Sequence, residues 1–115
     1  MSKGMSCKEA ILWYCAQQPE NPKPEDLEVC EIFYMKPCIE RMDPSISMLK
    51  NCKKLSISSN NIDKIANLNG LQLELLSVGR NVIKKLDGVE AVRETLVELW
   101  CSHNLIDRLA VLSNY

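Results

Sequence analysis

The feature that most constrains this chain is one short pattern written three times: an apolar residue, a spacer, a second apolar residue, two spacers, an asparagine, a spacer and a third apolar residue. It reads Leu55, Ile57, Asn60, Ile62, then Leu76, Val78, Asn81, Ile83, then Leu99, Cys101, Asn104, Ile106. The asparagines stand 21 and 23 residues apart. Self-similarity at a fixed period of this size marks a solenoid, in which each repeat buries its apolar face only against its neighbours.

The chemistry of the pattern predicts its shape. Alternating apolar residues ahead of each asparagine make a short strand with one buried face. The asparagine turns the chain out of the strand, and its amide bonds backbone groups that the turn strands inside the stack. Ile62, Ile65, Leu68 and Leu71, spaced by three, then predict a 3₁₀ or short helical return over the core. Cys52 and Cys101 fall at core positions as buried thiols. Upstream, Val29, Ile32, Tyr34, Ile39 and Met42 read as a degenerate copy, with Pro37 at the asparagine position 23 residues before Asn60. Residues 29–115 therefore read as an array of one degenerate and three clear repeats, without a C-terminal cap.

Residues 1–28 read differently. Ser6 and Glu9 have capping-box spacing, Cys7, Ile11, Tyr14 and Cys15 form one apolar stripe, and Pro19 stops the helix. Prolines at 19, 22 and 24 mark a linker towards the repeats. The expected fold class is α/β: a short leucine-rich-repeat solenoid, with parallel strands on the concave face, 3₁₀ or short helices on the convex side and an N-terminal helical cap.

Composition narrows the function. Fourteen basic and 15 acidic residues among 115 leave a net charge of -1, so no overall field gathers nucleic acid or anionic membrane. The six cysteines are scattered, without a Cys-x-x-Cys pair, and read as reduced thiols of a cytosolic protein. No apolar run approaches the roughly 18 residues of a membrane span. His103 is the single histidine, and there is no serine-nucleophile motif, glycine-rich phosphate loop or clustered metal ligand set. No catalytic, cofactor-binding or metal residue is assigned, and a non-enzymatic protein-binding module is expected.

Residues flanking the buried strand positions face the concave side. These are Lys54, Ser56 and Ser58, then Leu75, Ser77, Gly79 and Arg80, then Glu98, Trp100, Ser102 and His103. Small residues occupy much of this sheet, while Trp100 and Arg80 are of the types enriched at binding hot spots. Trp100 read only as cover for its neighbours is the plainer alternative. Lys64, Lys85 and Arg108, each four residues after its asparagine, predict a basic row beside Asp63 and Asp107. Such a row is either a solvated edge or a contact for an acidic partner such as a tubulin surface.

The repeats resemble the SDS22-like class of leucine-rich repeats. Residues 39–43 (IERMD), 47–49 (SML), 64–71 (KIANLNGL), 79–81 (GRN) and 98–100 (ELW) are similar to the leucine-rich-repeat light chains of axonemal outer-arm dynein. That resemblance implies a subunit in the cytoplasm and cytoskeleton, at the axoneme of the cilium. It also implies an axonemal dynein heavy chain as partner, bound at its motor and microtubule-binding region, with tubulin a further candidate and ciliary motility the process regulated. A phosphatase-targeting scaffold, or a truncated product without folded function, is the alternative. The chain is one residue short of the family pattern between Leu71 and Leu73, which is expected to shorten that return and distort the second clear repeat. Within the 115 residues, Leu96, Leu99, Ile106, Leu109 and Leu112 have no succeeding repeat. At roughly 1.5–3 kcal/mol per buried aliphatic side chain, their exposure predicts a marginal monomer or one that needs a partner on its C-terminal edge.

Overall fold

A computed structural model describes residues 4–106, and in it Ser6 opens helix α1, Cys7–Gln17. The Ser6 hydroxyl accepts from the Glu9 N–H, and the Glu9 carboxylate accepts from the Ser6 N–H, completing the capping box. Gln18 swings into extended backbone, the conformation that the following Pro19 favours, and the helix ends. Cys7, Ala10, Ile11 and Cys15 are buried, and Tyr14 packs half-buried against the same core.

Among the described residues four three-residue strands follow: β1 (Val29–Glu31), β2 (Lys54–Ser56), β3 (Leu75–Ser77) and β4 (Glu98–Trp100). They form one parallel sheet in the order β1-β2-β3-β4, with Cys30, Leu55, Leu76 and Leu99 in register. Chain order equals sheet order, as a solenoid demands. The returns cross the opposite side, with 3₁₀ turns at Pro44–Met48 and Val89–Val92, and another 3₁₀ turn, Pro24–Asp26, lies in the linker. The fold is α/β, consistent with a short leucine-rich-repeat array.

Two local expectations are corrected. In the first repeat Cys30 and Ile32, not Ile32 and Tyr34, are the buried strand pair, because Val29 pairs with Lys54 at an offset of 25 residues. Met35, not Pro37, therefore stands at the asparagine position. Downstream the offset returns to 23: Asn61 N–H donates to Ile39 O, as Val82 N–H donates to Ile62 O. Two extra residues thus sit between β1 and Ile39, and they keep the total spacing while sliding the strand.

The second correction concerns residues 62–71, which return without any helical turn. A Leu68–Leu71 hydrogen bond and left-handed Asn67 and Gly70 shape this extended path, and Asn67 Nδ2 donates to Met42 O at 2.6 Å. An extended path spans the distance with fewer residues than a coiled one. The missing residue is absorbed there, and the β2–β3 register is regular rather than distorted.

One apolar core runs from Cys7 through Ile32, Ile39, Leu55, Ile62, Leu76 and Ile83 to Val92. It thins at β4, where Leu96, Leu99, Cys101 and Ile106 are only partly buried. Cys101 is therefore half-buried rather than a core thiol, since no strand covers β4 among the described residues. Leu109 and Leu112 lie outside the described residues.

Candidate binding face

The asparagines build the frame. Asn81 Oδ1 accepts from Ile62 N–H at 2.9 Å, and its amide shares two hydrogens among the carbonyls of Ile57, Val78 and Gly79. Asn104 repeats this on Ile83 N–H, Val78 O, Cys101 O and Ser102 O. Asn60 does so on Ile39 N–H, Ile32 O, Ile57 O and Ser58 O, and also takes Met35 N–H at 3.3 Å. Each asparagine thus clamps its own turn to the turn of the preceding repeat. Met35 is tolerated in the first repeat because among the described residues α1 and the linker, not another repeat turn, precede it.

Just before each of these positions the chain takes a left-handed residue: Tyr34, Ser59, Arg80 and His103, all with φ between 52° and 58°. The same turn is made four times, which lines the strand exits up in rows. Gly79 is buried where two exits approach, and a Cβ there would stand 3.3 Å from Ser102 O.

Register then arranges the face. One row is Val29, Lys54, Leu75 and Glu98; the next is Glu31, Ser56, Ser77 and Trp100. Carried past the strands by the ladder hydrogen bonds, the rows continue as Phe33, Ser58, Gly79, Ser102 and as Tyr34, Ser59, Arg80, His103. The structure therefore brings together every concave-face residue expected from sequence. Lys54, Arg80, Glu98, Trp100 and His103 are exposed, whereas Ser56, Ser58, Leu75 and Ser77 are half-buried.

The arrangement has a pattern that single repeats hide. Serines and glycine floor the middle two strands, while aromatic side chains stand at both ends. Phe33 is 48% and Tyr34 62% exposed at the β1 end, and Trp100 is 58% exposed at the β4 end. Trp100 Nε1 donates to Glu98 Oε2 at 3.1 Å, which orients the indole, and the Lys36 ammonium lies 5.0 Å from the Tyr34 ring centre. A low floor between aromatic walls fits an inserted protein element, with desolvated aromatic anchors at its margins. Phe33 and Glu31 escaped the sequence reading, while Val29 and Tyr34, expected among the apolar positions of the repeat, are exposed on the face instead. Cys30-x-Ile32 in the place of Leu-x-Ile is the signal that identifies them, with cysteine at the first apolar position as Cys101 stands at the second.

The basic row lies apart from this face. Lys64 and Lys85, joined by Lys84, line an open groove with Asp63, Asp87, Ile65, Val82 and Gly88. Gly88 has φ 105°, and a Cβ there would run into Ile65 O, so the groove wall depends on glycine. Arg108 and Asp107 lie outside the described residues. Among the described residues no group of three His, Cys, Asp or Glu is placed to hold a metal ion, and no helix is long and apolar enough to cross a membrane.

No family model matches the chain. It is similar to dynein axonemal light chain 1 of Mus musculus, 50% identical over 99 residues, which is 85% of this chain and 51% of the relative. It is 48% identical to dynein axonemal light chain 1 of Danio rerio, over 87% of this chain and 52% of the relative. To that of Chlamydomonas reinhardtii it is 43% identical over 103 residues, 89% of this chain and 51% of the relative. The chain spans about half the length of the curated relatives it matches.

Proposed function

We propose, from this kinship, that the chain is a non-enzymatic light-chain subunit of axonemal dynein, working at the axoneme of cilia and flagella. Its sheet face holds a dynein heavy chain at the motor and microtubule-binding region. The small-residue floor seats an element of the heavy chain, while Trp100 at one margin and Phe33 and Tyr34 at the other close around it. Arg80 and Glu98 supply the polar contacts that fix its orientation. Regulation of motility follows from thermodynamics: a subunit that contacts one motor state better than another shifts the motor towards that state by the difference.

One observation carries this reading: a solvent-facing sheet with paired aromatic margins, on a chain about half identical to dynein axonemal light chain 1. The lysines gathered around one groove support a second contact, with an acidic surface such as tubulin. Capture of axonemal dynein heavy chain from ciliary extract tests the main reading. Trp100→Ala with Arg80→Ala is expected to lower capture at least about tenfold, the loss of two hot-spot contacts, while Lys64→Ala with Lys85→Ala leaves it unchanged. Unaltered capture by the first pair would remove the sheet face from the account.

A further inference from the structure

We propose that the Asn69–Gly70 turn is a site of spontaneous covalent modification, at which Asn69 closes to a succinimide and reopens as isoaspartate. The chemistry needs an asparagine side chain within reach of an unhindered main-chain N–H on the next residue, and Asn69–Gly70 is the one Asn-Gly pair in the sequence. Leu71 N–H donates to Leu68 O at 3.1 Å and Gly70 has φ 84°, so residues 68–71 form a type II turn with glycine at its third position. Asn69 and Gly70 are exposed, and neither the Asn69 side chain nor Gly70 N–H has a hydrogen-bond partner among the described residues. A Cβ added to Gly70 would meet nothing within 4 Å, so the space in which the ring forms is open.

The step balances with water as the one co-reactant. The Gly70 nitrogen gives up its proton and bonds to Asn69 Cγ, while the Cγ–Nδ2 bond breaks and the leaving nitrogen takes a proton to depart as ammonia. Water then opens the ring. Attack at Cγ leaves aspartate, whereas attack at the main-chain carbonyl breaks the Asn69–Gly70 peptide bond and leaves the chain running through the side-chain carbon as isoaspartate. Isoaspartate adds a methylene to the main chain between Leu68 and Leu71, both buried, and places a carboxylate on their turn. The next repeat supplies a contrast. Val89 N–H donates to Leu86 O at 3.1 Å and Gly88 has φ 105°, so Asp87–Gly88 lies in the same kind of turn, where an aspartate closes the same ring with loss of water. There, however, Gly88 N–H donates to Glu90 Oε2 at 2.8 Å, and Gly88 packs so tightly on Ile65 O that no Cβ fits. The nucleophile is engaged and its approach is crowded. Other asparagines are held back too: the Asn67 amide is tied to Met42 O at 2.6 Å, and Asn21 precedes a proline that has no N–H.

Ageing the folded 115-residue chain at mildly alkaline pH, followed by peptide mapping and labelling with an isoaspartate-specific methyltransferase, tests this. Isoaspartate is expected at residue 69, forming faster as pH rises because the attacking nitrogen must lose its proton. It should accumulate at least about tenfold faster there than at Asn67 or Asp87, the ratio that one hydrogen bond's worth of extra barrier gives. Asn69→Gln, whose ring would be six-membered and closes far more slowly, is expected to abolish the label. Aged wild type should unfold at lower urea than fresh protein, while aged Asn69→Gln unfolds as it does when fresh, which separates the turn from ageing in general. Label that appears only in the urea-unfolded chain overturns the proposal, because the folded turn would then be protective. So does equal labelling at Asp87, because an open N–H would then not select the site.

Discussion

The two ends of the sheet contrast. At the β1 end the sequence departs from the repeat: cysteine replaces leucine at 30, methionine replaces asparagine at 35, and two extra residues precede Ile39. Yet Cys30, Ile32 and Cys52 are fully buried there, beneath α1. At the β4 end Leu99, Cys101, Asn104 and Ile106 keep the pattern, and all are only partly buried. Pattern specifies the strand and its turn, and the neighbour supplies the burial. Agreement with a repeat is therefore no measure of a repeat's stability.

Paired substitutions break or sharpen that contrast. Leu76→Ala, inside the stack, is expected to cost about 3–4 kcal/mol in urea unfolding, and Leu99→Ala only about 1–2 kcal/mol in the monomer. Equal costs would mean that β4 is as well covered as β3. Asn81 is the one buried polar side chain among the described residues. Asn81→Ala strands Ile62 N–H and the carbonyls it served, for about 3 kcal/mol, whereas Asn104→Ala, at the half-open turn, is expected to cost about half as much. The smallest effect is in the thiols. Burial pushes Cys7 up to about 12 and Cys52 to about 11 from the ordinary 9.0, and raises Cys30 also. The folded state then keeps protons that the unfolded chain releases. Stability contributed by these thiols is complete below pH 9 and is lost as pH rises from there towards 11–12. Alkylation at neutral pH, followed by peptide mapping, should reach half-buried Cys38 and Cys101 before Cys7, Cys30 and Cys52.

Much of this was legible in the residues. Asn60, Asn81 and Asn104 located three strands and their turns, and Ser6 with Glu9 located the helix start, because these are local hydrogen-bonding signals. The register of β1 was not, since the extra residues before Ile39 preserve the 23-residue spacing from Pro37 to Asn60 while moving the strand. Tyr34 was consequently read as core, and the β1 margin of the face was missed. The extended return through residues 62–71 also escaped, because three-residue apolar spacing fits a 3₁₀ turn and a slack extended path equally well. Of the face itself, each residue was readable from its own repeat. The aromatic margins are a property of four strands in register, and emerged only with the sheet.

The most direct test of the proposed role places a photocrosslinking residue at Ser77, in the middle of the floor, and separately at Glu90, on the return turn away from the sheet, and exposes each protein to axonemal dynein. An adduct with the heavy chain from Ser77 and none from Glu90 is the predicted result. An adduct from Glu90 alone, or from neither position while the wild type still captures the heavy chain, would contradict it.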